Sequence, residues 1–292
     1  MTRPNILYIH SHDTGRYVQP YGYAVETPNI QRLAEQGVLF RQAFCAARTC
    51  SPSRAALLTG TYPHVNGMIG LAHRGSRLHD YSRHLSHVPR QHGYVTALAG
   101  VQHEVDERER ELLGYDRFLG GPESAAADWE EDVARRAAAF MGESHRRPFF
   151  LSCGFMATHR VGYGEQWHNC PASPLADPRY CRPPTPLPDI PEIRRDFADF
   201  TAAARRLDSY MGIVFDALES RGVAENTLVM CTTDHGIAFP FMKCNLTDHG
   251  IGVMLILRGP RGCAGGKVVD AMVSHIDLFP TICELAGIPA PA

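Results

Sequence analysis

Short apolar runs rich in β-branched residues recur along this chain, and the stretches between them carry apolar residues at helical spacing. That alternation is the pattern of parallel strands joined by crossover helices. It predicts an α/β fold with a largely parallel central sheet flanked by helices. The strand candidates are Ile6 to Ile9, Val95 to Ala99, Phe149 to Phe155, Leu228 to Thr232 and Val253 to Leu257. Between them, Thr27 as cap, Pro28 at the first position and Gly37 at the end bracket one helix, while Asp128 and Glu131 frame the start of another. The clearest helix follows Pro191, where Phe197, Phe200, Ala204, Leu207, Met211, Val214 and Leu218 form one apolar stripe able to pack on the sheet.

Prolines crowd the stretch from Pro171 to Pro191, which is therefore expected to be an extended surface excursion within a single domain spanning residues 1–292. With 44% hydrophobic and 21% charged residues, 292 residues suffice for a substantial core. A net charge of -2 offers no global attraction to nucleic acid or to an anionic membrane, so any bound anion must be held by local chemistry. No uncharged apolar run reaches membrane-spanning length. The first strand follows Pro4 directly, leaving no room for a signal core, and nine irregularly spaced cysteines suit thiols better than a disulfide framework. Both features point to a cytoplasmic protein, and with no heptad the oligomeric state stays open.

Cys50-Ser51-Pro52-Ser53-Arg54 leads into Ala55-Ala56-Leu57-Leu58, with Gly60 beyond. Ser51 as cap and Pro52 at the first position would place Cys50 just before a helix N-terminus, where unpaired N–H groups favour an anion. Arg54, one turn further on, leans back toward the same place. Two His-Asp clusters, His12-Asp13 and Asp234-His235, each end a predicted strand, and ligands of open α/β sheets gather at the carboxyl ends of strands. These four residues are the candidate metal ligands.

The segment from Cys50 to Gly60 resembles the signature of the sulfatase family, in the alkaline phosphatase-like superfamily. Asn66-Gly67-Met68, Arg147 to Leu151 and Asp234 to Ile237 bring it closest to the sulfamidase branch. The likeness runs from Asn5 to about Pro289. It implies that Cys50 is converted to formylglycine by a formylglycine-generating enzyme, and that a divalent metal sits on His12, Asp13, Asp234 and His235. Calcium is the family's usual ion, but imidazoles at two of these places admit manganese, zinc or iron. Gly100-Val101-Gln102-His103 resembles a second motif of the family, with Val101 where a lysine is usual. Thr158-His159-Arg160 resembles its third histidine site, and Lys243 matches a lysine that binds the sulfate. The implied catalytic set is Cys50, Arg54, His103, His159 and Lys243.

The implied activity is hydrolysis of a small-molecule or sugar sulfate ester, or of a sulfamate. A formylglycine-dependent phosphodiesterase or phosphonate monoester hydrolase is the alternative that Asp234-His235 favours, and a catalytically weak anion-binding homologue is the alternative that Val101 favours. The family's usual small C-terminal sheet domain is expected to be missing, since the sequence stops shortly after a helix ending near Gly287. On that expectation the chain is a fragment or a minimal version with an open site.

Overall fold

The computed structural model describes residues 3–161, 166–167, 176–260 and 262–290. Its centre is an eight-stranded sheet. In chain order the strands are β1 (Asn5–Ser11), β2 (Val38–Phe40), β3 (Val95–Gly100), β4 (Arg117–Phe118), β5 (Phe149–Gly154), β6 (Thr227–Thr233), β7 (Leu255–Arg258) and β8 (Lys267–Val269). Their spatial order is β8-β2-β7-β6-β1-β5-β3-β4. All neighbours run parallel except β7, which is antiparallel to both β6 and β2. The sheet is therefore largely parallel, as the alternation predicts.

Both faces of the sheet are covered, and the near-continuous apolar strands reflect this. Leu7, Ile9, Leu151, Cys153, Val229 and Cys231 point to one face, where they pack with helices α1 (Pro28–Gln36), α3 (Trp129–Met141) and α4 (Pro191–Ser220). Ile6, Tyr8, Phe150, Leu228 and Met230 point to the other, against α2 (Cys50–Thr59) and α5 (Leu278–Ala286). The whole apolar stripe of α4 is buried. No helix among the described residues is long and apolar enough to cross a membrane, and the described cysteines are free thiols.

Local chemistry sets the helix starts, in two places differently from the sequence reading. Cys50 is the first residue of α2 and not the residue before it, because Thr49, extended at φ -133° and ψ 155°, takes the cap position. Ser51 lies inside the first turn, and its hydroxyl accepts from the Ala72 N–H at 3.0 Å. At α1 the Thr27 hydroxyl accepts instead from the Gln19 N–H. The buried Asp208 carboxylate, presented by α4, accepts from the Asn29 and Ile30 N–H groups at 3.1 and 2.8 Å, satisfying the helix end that Thr27 leaves open. Asp128 does cap α3, accepting from the Glu131 N–H. The strand expected to run to Phe155 ends at Gly154, and the one expected from Val253 begins at Leu255. Of the proline-rich stretch, residues 171–175 lie outside the described residues. The remainder, up to Pro191, is a short 3-10 turn at Pro178–Tyr180 and irregular chain.

Candidate active site

β6, β1, β5 and β3 lie side by side and parallel, so their carboxyl ends reach one edge of the sheet together. The chain leaving each end delivers a cluster to that edge: Asp234-His235 after β6, His12-Asp13 after β1, Thr158-His159 shortly after β5, and Val101 to His103 after β3. Backbones crowd at these ends. A Cβ on Gly100, whose φ is +83°, would lie 2.0 Å from the Gly154 carbonyl oxygen, and one on Gly236 would lie 1.8 Å from that of His249.

The N-terminus of α2 closes the cluster from the other side. Cys50 Sγ lies 3.3 Å from His235 Nε2, and burial pushes its thiol pKa well up, with Asp234 and Asp13 adding to the rise. Ser53 donates to the Asp234 carbonyl at 2.5 Å. Arg54 is 1% exposed. It donates to His10 Nδ1 at 2.6 Å, to the Ser11 carbonyl at 2.9 Å and to Asp234 Oδ2 at 3.2 Å. Its two terminal nitrogens are thus engaged in ordering the acid cluster, while the buried Nε has no hydrogen-bond partner. His10 accepts from Arg54 at Nδ1, so its proton sits on Nε2, which faces Ser152 Oγ at 3.3 Å.

Asp234 is satisfied on both oxygens. Oδ1 accepts from the Asp13 and His235 N–H groups, each at 2.9 Å, and Oδ2 meets Arg54 and, at 2.9 Å, His12 Nδ1. Burial pushes its pKa up, but His235, His12 and Arg54 together hold it well below the usual carboxylate range. Asp13, at a φ of +54°, is differently placed. Its Oδ2 accepts from Lys243 Nζ at 2.6 Å, while its buried Oδ1 has no hydrogen-bond partner. Burial opposes the charge on Lys243, but the Asp13 carboxylate outweighs it and raises the pKa. Lys243 also donates to His159 Nε2 at 3.2 Å, while His159 Nδ1 donates to the Arg160 carbonyl. The His103 ring lies 4.4 Å from that of His12, and burial first, Arg54 next, push His103 down to about 3. The nine residues singled out from sequence therefore converge on one edge.

The donors present suit a divalent cation. Asp13, Cys50, Asp234 and His235 offer ligand atoms within 4.8 Å of one another, as do His12, Asp13, Cys50 and His159. Asp13 Oδ1 and Nε2 of the buried His12 ring have no hydrogen-bond partner, while His12 Nδ1 meets Asp234 Oδ2 at 2.9 Å. His235 donates from Nδ1 to the Gly236 carbonyl at 3.0 Å, which leaves the Nε2 lone pair turned toward Cys50 and Asp13.

Sequence reasoning passed over His10, although one signal was available: a polar residue late in an otherwise apolar buried strand. It also passed over Arg160, whose guanidinium lies 4.0 Å from the Trp167 ring and is held by both oxygens of Asp196, and which donates to the Ala238 carbonyl. That clamp ties the His159 loop to the loop carrying Lys243.

A family model described as Sulfatase matches residues 4–288. The human N-sulphoglucosamine sulphohydrolase is 32% identical over 92% of this chain. The chain spans 58% of that relative's length, a little over half. Among solved structures, the yidJ protein of Bacteroides fragilis superposes with a TM-score of 0.82 at 21% identity, covering 99% of this chain and 75% of that one. The phosphonate monoester hydrolase of Agrobacterium radiobacter gives 0.75 at 22% identity, covering 98% and 74%. At these identities the two structures speak for the fold alone.

Proposed function

The chain belongs to the sulfatase family, and on that premise we propose that it hydrolyses a sulfate ester or sulfamate, with residue 50 as formylglycine and one divalent cation on Asp13, Asp234, His235 and His12. The observation that carries this reading is the meeting of residue 50, at a helix N-terminus, with unfilled oxygen and nitrogen donors from two strand ends. The aldehyde hydrate of formylglycine supplies a hydroxyl nucleophile together with a second hydroxyl as an exit route, and a divalent cation supplies Lewis acidity.

The chain's own residues do the rest. Arg54 keeps Asp234 anionic and fixed, and the first-turn N–H groups of α2 point toward the anion. Lys243 is a half-buried cation that can neutralise charge on the sulfuryl oxygens or the departing group. Its contact with His159 Nε2 places a proton-accepting lone pair beside it. His103 is held neutral by burial and by Arg54, so its ring enters the site uncharged beside His12. The partner in maturation is a formylglycine-generating enzyme, and the substrate presents a sulfate head.

Coexpression with that enzyme is expected to yield a Cys50 peptide 18 Da lighter than the thiol form, the difference of an aldehyde. Release of inorganic sulfate from 4-nitrophenyl sulfate should appear with it and fall at least ~1,000-fold in Cys50→Ala. An unmodified thiol in protein that nonetheless turns over, or a modified one that releases no sulfate, would overturn the reading. The second reading, a phosphodiester or phosphonate monoester, is favoured by the imidazoles of His12 and His235 at the cation position. Parallel kinetics with an aryl phosphodiester decide between the two.

A further inference from the structure

The cluster of donors around the proposed cation also contains a sulfur atom. Cys50 Sγ, one carboxylate oxygen each of Asp13 and Asp234, and one ring nitrogen of His235 lie within 4.8 Å of one another. From His235 Nε2, Sγ is at 3.3 Å, Asp13 Oδ1 at 3.5 Å and Asp234 Oδ2 at 3.6 Å. Zinc bonds of about 2.3 Å to sulfur and about 2.0–2.2 Å to nitrogen and oxygen, at tetrahedral angles, give ligand-to-ligand edges of roughly 3.3–3.6 Å. The three edges that meet at His235 therefore already have the lengths of a four-coordinate zinc shell. The Gly236 carbonyl holds the His235 proton on Nδ1, the outer bond that aims Nε2 at a metal. Asp13 Oδ1 is buried without a hydrogen-bond partner. Lys243 and His159, at 20% and 29% exposure, open the cluster to solvent.

Charge explains why the sulfur matters. Arg54 meets Asp234 at 3.2 Å and Lys243 meets Asp13 at 2.6 Å, so both carboxylates are balanced before any metal arrives. A divalent cation then leaves two positive charges uncompensated in a buried site, at a cost that falls when an anion joins its shell. In converted protein the sulfate group of a substrate would bring that charge. In unconverted protein the Cys50 thiol can bring it, its proton leaving to solvent as the sulfur–metal bond forms. Thiolate and imidazole favour zinc, whereas the oxygens of an aldehyde hydrate favour a harder ion.

Resting on the cation site proposed above, we infer that residue 50 decides which metal this chain holds. As a thiol it is itself a ligand, and the unconverted chain takes zinc on Cys50, His235, Asp13 and Asp234. Conversion to formylglycine removes the sulfur donor and returns the site to a harder cation.

The test uses the full chain produced without the maturation enzyme, with cobalt(II) as the optical probe. One cobalt per chain is expected, with a sulfur-to-cobalt charge-transfer band in the near ultraviolet that zinc abolishes by displacement. X-ray absorption of the zinc form should show one sulfur at about 2.3 Å. Cys50→Ser should lose the band and ~100-fold or more of the zinc affinity, while calcium affinity in calorimetric titration holds. Cys244→Ser, at an exposed thiol outside the cluster, should change neither. Should Cys50→Ser fail to fold, X-ray absorption of the unsubstituted chain decides. Zinc or cobalt bound with no sulfur in its shell, or a sulfur signature that survives Cys50→Ser, overturns the inference and leaves the cation site standing. No binding of zinc, cobalt or calcium by either form sinks the cation site and the inference together. A sulfur signature in a chain whose converted form releases no sulfate sinks the sulfatase reading and upholds the inference.

Discussion

Asp13 divides the site into two halves that are balanced in different ways. On the Oδ2 side the Lys243 ammonium sits at 2.6 Å with His159 behind it, so this half carries its own cation. On the Oδ1 side there is no hydrogen-bond partner, His12 Nε2 is unpartnered, and the His235 lone pair is turned inward. Arg54 is close, but it is committed to Asp234, His10 and the Ser11 carbonyl. Buried polar atoms without partners cost about 1–3 kcal/mol each, so they are tolerated where something else completes them. The difference supports placing the proposed cation with Oδ1, His12, Asp234 and His235, since Lys243 already fills the other place.

The largest expected effect comes from breaking both halves at once. Asp13→Asn removes a cation ligand and strips Lys243 of its counter-charge, so divalent affinity in calorimetric titration should fall by ~100-fold or more, and sulfate release should be lost with it. Unchanged affinity would erase the division. A smaller and more selective effect should follow from Lys243→Met, which touches only the half with its own cation. Turnover of an aryl sulfate should drop by ~100 to 1,000-fold while divalent affinity holds or rises, because a competing positive charge is gone. A loss of affinity as large as that of Asp13→Asn would merge the two halves into one.

Sequence made the strand-end clusters legible for a geometric reason. Parallel strands joined by helices present their carboxyl ends on one edge, so His12-Asp13 and Asp234-His235 could meet once the alternation was recognised, whereas His103 and His159 were pointed to by the family resemblance. What it left hidden depends on packing between distant segments. Nothing near Thr27 announces that Asp208, on α4, satisfies the start of α1. The commitment of Arg54 to His10 requires knowing that β1 turns His10 toward α2 and that Ser152, on β5, orients its ring from below. The direction of β7 is likewise set by its partners, since an apolar run reads the same both ways. Distribution of charge between the halves of Asp13 was beyond reach too, because it rests on which carboxylate oxygen each neighbour meets.

The smallest effect sharpens the comparison through pH, since the halves should fail at opposite ends of the scale. His103 is pushed down to about 3 by burial and then by Arg54, and His12 is held well below its ordinary value by the same two causes. Below the unfolded histidine pKa of about 6.5 the unfolded chain therefore binds more protons than the native one, and stability falls with pH by about 1.4 kcal/mol per unit for each such histidine until its native pKa is reached. Asp234, whose pKa is depressed, acts in the same direction: it contributes stability that is present above the unfolded carboxylate value and is lost as pH falls through the native one. Lys243 behaves oppositely. Its pKa is raised, so its contribution is complete below the unfolded lysine value of about 10.4 and is lost only as pH climbs through the native one. Urea unfolding of metal-free protein from pH 4 to 11 should show both limbs. His103→Gln should flatten the acid limb alone, by up to about 1.4 kcal/mol per unit, and Lys243→Met the alkaline limb alone. If either substitution changes both limbs equally, the halves titrate as one network and Asp13 does not separate them.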